Sequence, residues 1–356
     1  MKSGKNMIYA PVIIPTLCRD VHFVRCMESL KKNPWAKYTE LFIGLDYPAK
    51  DSHWDGYRKI SAYLDQPHPE FRAVHVFRRS ENVGAGINSS LLWDKALCQF
   101  DRCIYMEDDL EVSPNFLEYM DKALMEYEDD PSVVMVTGYS YPLDWAAADG
   151  CTVVKQNFNA SAWGRGAWRS KLIPVSRYLH RNGLCKDFSH AYRSGCFSNM
   201  LDFAVTDYVN LCEGGWSGKH GFLNSATDIA MRIYLAVKGQ YVVMPLVSKV
   251  RNHGYDGSGL YCQQIEGSQD ILQGNCVEHY RFSAQPIDEG NSFSLVEDKE
   301  FDLPKNRDLL NRFDCVPPDE LEHVWIRAKR IARRGRYGGS LPVYKKALRK
   351  ILRWRK

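Results

Sequence analysis

Cys103-Ile104-Tyr105-Met106-Glu107-Asp108-Asp109-Leu110-Glu111-Val112 is the stretch that decides the fold. Its four leading residues predict a buried strand, and three carboxylates follow without a break. Like charges crowded at a strand end are costly unless something positive sits among them. A divalent cation bridging a diphosphate answers that cost, because hard cations take oxygen ligands. Ser113 reads as an N-cap with Pro114 at the first helical position. Phe116, Leu117, Met120, Ala123, Leu124 and Tyr127 continue at helical spacing. The triplet is therefore expected on a strand-to-helix corner, where an open α/β sheet places its ligands.

Working outward, the apolar runs Val12-Ile13-Ile14, Leu41 to Leu45 and Ala73 to Phe77 predict three earlier strands, the first two ending near Thr16 and Asp46. Helical patterns lie between them at Val21 to Leu30, Trp54 to Leu64 and Ser90 to Phe100. Strand alternating with helix predicts a parallel sheet covered by helices, and Val133 to Val136 extends it. After Thr137 the rhythm breaks, with Trp145, Trp163, Trp168 and Trp216 among Gly164, Gly166, Gly214 and Gly215. One helix (Ala226 to Lys238) and one strand (Tyr241 to Val247) remain legible. The expected organisation is a first half over 1–136 and a second half of the same domain over 137–255. An irregular region over 256–320 and a basic segment over 321–356 follow.

The chain of 356 residues is 45% hydrophobic and 25% charged, a globular composition without repeats or low-complexity tracts. No stretch approaches the roughly 20 apolar residues of a membrane span. Met1 to Asn6 runs almost directly into a strand, so no signal peptide is expected. Eleven cysteines without CxxC or metal spacing read as small buried thiols in a reducing cytoplasm. Of the 47 Lys and Arg, thirteen fall between Arg327 and Lys356 with no acid among them. The remainder thus carries 34 basic against 43 acidic residues.

In a parallel sheet the strand ends at Thr16, Asp46 and the acidic triplet share one edge. Asn82-Val83-Gly84-Ala85-Gly86-Ile87-Asn88 precedes the next helix, and its amides could meet phosphate there; a plain turn explains it equally well. It lacks the third glycine of a dinucleotide fingerprint. Asp228 opens a helix, either as a carboxylate favoured by the helix dipole or as a general base. His253 reads as structural or as a metal ligand beside a carboxylate.

These segments resemble glycosyltransferases of the GT-A fold. Glu107 to Val112, followed by Pro114 and Phe116, is similar to the acidic motif of the N-acetylglucosaminyltransferase I family. Cys18-Arg19 with Val24-Arg25-Cys26, Asp46, Asp228 with Met231-Arg232, and His253-Gly254 resemble further segments of it. Asn82-Val83-Gly84, Ser161 to Trp168 and His253 to Gly259 instead resemble bacterial family 2-like sugar transferases. The resemblance implies a Rossmann-like, mostly parallel GT-A sheet that binds a nucleotide-sugar, with UDP as carrier. It implies Mn²⁺ or Mg²⁺ at Asp109, with His253 completing the coordination. Thr16, Arg19, Asp46, Asn82, Gly84, Asn88, Glu107 and Asp108 would face the donor. Trp163, Gly164 and Trp168 would face a glycan or lipid-linked acceptor. Asp228 would be the base of an inverting transfer.

Two apolar stripes run through the basic segment: Val324, Trp325, Ala328, Ile331 and Ala332, then Tyr344, Ala347, Leu348, Ile351 and Leu352. Such helices suit an anionic membrane surface, so a cytoplasmic protein peripheral to the inner face of the membrane is expected. Nucleic acid is the disfavoured partner, because the sheet resembles no nucleic-acid module. The rival readings are a sugar-phosphate nucleotidyltransferase, whose signature Leu17 to Asp20 matches poorly, and a nucleotide-binding membrane protein without transfer activity.

Overall fold

A computed structural model describes residues 6–213, 227–259, 282–301, 303–313 and 316–334. Its strands are β1 (Val12–Thr16), β2 (Glu40–Leu45), β3 (Ala73–Arg78), β4 (Arg102–Tyr105), β5 (Leu110–Val112), β6 (Val133–Thr137), β7 (Val153–Gln156), β8 (Arg165–Trp168), β9 (Tyr241–Pro245) and β10 (Val250–Asn252). Its α-helices are α1 (Asp20–Lys31), α2 (Trp54–Leu64), α3 (Ala85–Gln99), α4 (Phe116–Glu126) and α5 (Arg169–His180). They continue with α6 (Gly183–Arg193), α7 (Asp202–Glu213), α8 (Thr227–Lys238), α9 (Leu303–Phe313) and α10 (Pro318–Arg334).

Eight strands form one mixed sheet in the order β3-β2-β1-β4-β8-β6-β9-β7. Six run the same way; β8 and β7 are reversed, each antiparallel to its neighbours. β1 shows how the layers arise. Ile13 packs with Phe42, Leu92, Ala96 and Cys103 on the α3 face. Val12 and Ile14 join Phe23, Met27 and Leu30 in the larger core on the other face. Burial on both faces accounts for the unbroken apolar run, each such side chain contributing about 1.5–3 kcal/mol.

The chain builds outward from β1 to β3, then returns to place β4 on β1's other flank, which makes β1/β4 the topological switch point. Pro15 widens it. The Ile13 carbonyl accepts from Met106 N–H on the β4 side, so Pro15, two residues on, faces the same flank. There it has no N–H to give, and β1–β4 pairing stops at Ile13 and Tyr105. A crevice opens between Thr16 and the acidic triplet.

Several boundaries differ from those expected. α3 starts at Ala85 rather than Ser90, because Gly84 at φ +80° turns the chain straight into the helix. α4 starts at Phe116 with Asn115 at its N-cap; Ser113 and Pro114 lie in the preceding turn, where Ser113 Oγ donates to Asn115 Oδ1 at 3.0 Å. Within the region expected to be irregular, α9 is a full helix. The first apolar stripe of the basic segment also needs correction. Val324, Ala328, Ile331 and Ala332 are buried, α10 packs on α6 and α7, and Trp325 meets Tyr192 and Phe197. Arg327 and Arg330 pair with Glu213 at 2.7 Å each. That stripe belongs to the core and is closed to a membrane. The second, from Tyr344 to Leu352, lies outside the described residues. No helix among the described residues is long and apolar enough to cross a membrane.

Candidate functional site at the β1/β4 crevice

Asp108 and Asp109 emerge from β4 into the crevice, only 6% and 7% exposed. Thr16 Oγ1 donates to Asp108 Oδ2 at 2.8 Å. Arg19, at the start of α1, forks across the pair: Nη1 reaches Asp109 Oδ2 at 2.8 Å and Nη2 reaches Asp108 Oδ1. Gly56 permits this placement, since a Cβ there would lie 1.8 Å from the Cys18 carbonyl oxygen and push α2 off the loop.

One cation does not balance the three acids. Burial raises the Asp108 carboxyl even against Arg19. Glu107 is raised further, first by burial and then by Asp109 and Asp108. Asp109 Oδ1 is buried without a hydrogen-bond partner. A buried carboxylate oxygen left bare is costly, and a hard cation is the partner it lacks.

The opposite wall comes from the antiparallel pair β10–β5. The His253 amide donates to the Asp109 carbonyl at 3.0 Å. Gly254 follows, and a Cβ there would fall 2.1 Å from Asp109 Oδ2. Only glycine lets this backbone lie against the carboxylate. The His253 ring turns away, its Nε2 2.8 Å from Glu111 Oε2. The Glu111 contact orients the imidazole and ties β5 to β10. Among the described residues no three His, Cys, Asp or Glu side chains gather as a metal cluster. An ion here would rely on the aspartates and on oxygens from its ligand, as Mg²⁺ sites on phosphate substrates do.

Asp46 ends β2 and is buried, but its carboxylate is engaged. It accepts from Tyr47 N–H at 2.9 Å, Val83 N–H at 3.0 Å and Gly84 N–H at 2.8 Å, with Asn82 Nδ2 at 3.3 Å. Asp46 thus shapes the Asn82–Gly84 turn. Asn88 is interior, donating to the Gly44 carbonyl at 2.7 Å and accepting from Arg79 Nε at 3.0 Å. Its amide holds α3 to β2 and does not reach the crevice. Tyr47, Trp54 and Tyr57 form an edge-to-face cluster beside Asp46, which the sequence pattern did not signal.

On the second half, Trp163 is half-buried, edge-on to Tyr139 at 4.7 Å and Tyr255 at 6.0 Å. Gly164 is structural: its φ is +66°, and a Cβ would meet Phe116 at 2.8 Å. Trp168 is corrected from acceptor contact to core, being 2% exposed with its indole N–H on the Leu124 carbonyl and Lys171 over its ring. Arg165 was missed. It sits opposite both Tyr105 and Thr137, so β8 delivers it to the crevice edge. Its Nε is buried without a partner. The one available signal was a lone charge inside the apolar Ser161 to Trp168 stretch. Asp228, exposed in the first turn of α8, is near enough for its charge to act on both Glu107 and Arg165.

No family model matches the chain, and no curated protein does. Solved structures similar to it include the following three. A mannosyltransferase of Pyrobaculum calidifontis in complex with GDP-Man and Mn²⁺ covers 47% of this chain and 46% of its own, at 14% identity and a TM-score of 0.35. S. aureus TarS covers 47% and 30%, at 13% identity and 0.34. TarS 1-349 in complex with UDP-GlcNAc covers 48% and 48%, at 14% identity and 0.34. The chain spans less than half the length of each. A likeness at this level carries no functional conclusion, which depends on the side chains above.

Proposed function

We propose that this chain is a metal-dependent, inverting glycosyltransferase. It would move a sugar from a nucleotide-sugar, with UDP as the carrier, to a hydroxyl of a glycan or lipid-linked acceptor in surface polysaccharide synthesis. The observation that carries this reading is the bare, buried Asp109 Oδ1 at the sheet's switch point, beside a glycine that keeps the space clear. A crevice at strand carboxyl ends is where open α/β sheets bind nucleotides.

Asp109, with Asp108 beside it, would hold Mn²⁺ or Mg²⁺, which offsets charge developing on a departing diphosphate. Arg19 and Thr16 fix the two aspartates, and Asp46 braces the turn that borders the nucleotide. The Tyr47–Trp54–Tyr57 cluster offers the base an aromatic flank. Trp163 offers the acceptor sugar a similar face across the crevice. Asp228 takes the proton from the acceptor hydroxyl as its oxygen forms the new bond to the anomeric carbon. The nucleoside diphosphate leaves from the opposite face with the bonding pair, so configuration inverts.

The test is thermal-shift binding of UDP, GDP and CMP with and without Mn²⁺, paired with sugar-transfer assays on wild type and Asp228→Asn. We expect a Mn²⁺-dependent shift with UDP in both proteins. We also expect transfer in the variant to fall on the order of 10²–10⁴-fold. No shift with any nucleotide would remove the donor site. An active Asp228→Asn would remove the base.

A membrane role is proposed for the basic run beyond α10, supported by its charge and by exposed Ile326, Lys329, Arg330 and Arg333 on the helix leading into it. With it we propose a cytoplasmic protein, peripheral to the inner face of the membrane. Deleting 335–356 should release the protein from anionic vesicles, and unchanged binding would refute the role.

A further inference from the structure

Cys185 on α6 and Cys212 on α7 are two thiols that the proposed chemistry does not use. Their sulfurs lie 3.3 Å apart, and the side chains are 5% and 1% exposed. A disulfide spans about 2.05 Å, so closure asks for roughly 1.3 Å of approach between side chains on helices already packed together. We propose that Cys185 and Cys212 are an oxidation site, forming an intramolecular disulfide that joins α6 to α7.

The oxidant is a low-molecular-weight disulfide such as glutathione disulfide. Cys185 loses its proton and attacks one glutathione sulfur, forming a mixed disulfide and expelling a glutathione thiolate. Cys212 loses its proton and attacks the Cys185 sulfur, expelling the second. Two electrons pass from the protein thiols to glutathione disulfide, and the two protons end on the two glutathione thiols. The order of attack follows from the contact. Cys212 donates its S–H to Cys185, which lowers the Cys185 thiol's pKa, while burial raises that of Cys212. Cys185 is also the more exposed of the two.

The bond would brace more than two helices. Cys212 directly precedes Glu213, which accepts from Arg327 and Arg330 of α10. Tyr208, one turn earlier on α7, donates to the Leu184 carbonyl at 2.7 Å, beside Cys185. The cross-link would close a loop between residues 27 apart in sequence, long enough to constrain the unfolded chain appreciably.

The full chain should be incubated with glutathione disulfide, alkylated under denaturing conditions, digested and mapped by mass. We expect a Cys185–Cys212 cross-linked peptide and two fewer alkylated cysteines out of eleven. Tm should rise by several degrees, reversibly with dithiothreitol. Cys185→Ala and Cys212→Ala should each abolish that rise. Alkylation of both cysteines after oxidation, or glutathione adducts without the cross-link, would overturn the proposal and leave an S–H···S contact between two packing thiols.

Discussion

Two acidic regions stand at opposite ends of the sheet, and they differ in how their charge is answered. The first is the crevice at the carboxyl ends of β1 and β4. The second is a cleft of about 660 Å³ at the amino ends of β6 and β9, lined by Glu126, Asp129, Asp130, Glu297 and Asp298 with Lys155 and Lys299. The cleft has more acids. Yet Lys155 reaches Asp130 at 2.9 Å and Glu297 at 3.3 Å, and the Tyr127 hydroxyl donates to Glu297 at 2.8 Å. Burial works against the Asp130 charge, but Ser132 and Lys155 outweigh it and hold its carboxyl down to about 2. At the crevice Asp108 and Glu107 go the other way, and Asp109 Oδ1 has nothing. The cleft carboxylates are answered by lysine and hydroxyl groups of the chain, whereas the crevice carboxylates are only partly answered by Arg19 and Thr16.

Matched substitutions break this contrast most directly. Asp109→Asn should lower sugar transfer on the order of 10²–10³-fold, while Asp298→Asn in the cleft leaves it within about two-fold. Equal losses would mean that the cleft, and not charge imbalance, marks the site. Gly254→Ala tests the crevice from its other wall. The added methyl must displace Asp109, so the Mn²⁺-dependent UDP shift should vanish and transfer fall by about ten-fold or more. Overpacking there should also cost about 1–3 kcal/mol, readable by denaturant titration. A variant that keeps the nucleotide shift would show that the close approach is incidental.

The smallest effect belongs to a third acid, Asp121 of α4, fully buried with one oxygen on the Ala10 amide at 2.9 Å. Burial pushes its carboxyl up to about 8, from 3.8 for a free aspartate. The unfolded chain gives up this proton near pH 4 while the folded one keeps it, so the contribution is complete below pH 4. It is lost progressively as pH rises toward 8. Asp121→Asn should match wild type in Tm near pH 4 and exceed it by a few degrees at pH 8. Parallel Tm profiles for the two proteins would show that Asp121 does not titrate in this window.

How much of this could be read from sequence depended on whether the signal was local. Strands β1 to β4 and β6 are apolar runs ended by Pro, Gly or charge, and the acidic triplet does follow a strand into the switch point. β8 was illegible because Arg165-Gly166-Ala167-Trp168 is too short and mixed to show a period. α5 to α7 were hidden by Pro174, by glycines and by aromatic residues that pack on each other, such as Phe188, Phe197 and Tyr208. At the site, residue types were legible and partners were not. Nothing in sequence says that Asn88 turns inward, that His253 pairs with Glu111, or that the stripe ending at Ala332 meets α6. Those outcomes are settled by contacts tens to hundreds of residues away.

The reversed course of β8 has a consequence for how the crevice rims are built. β1, β2 and β4 bring their endings to the crevice, so their contribution is locked into the helices that follow. β8 brings its beginning, and Arg165 and Trp163 arrive there from the loop upstream. One rim is therefore fed by chain leaving the sheet and the other by chain entering it. That entering chain is itself anchored, with Phe158, Asn159 and Ala160 buried and Gly164 held against Phe116. On the proposed function, the donor rim is set by the helices that follow the strands and the acceptor rim by the chain that enters β8.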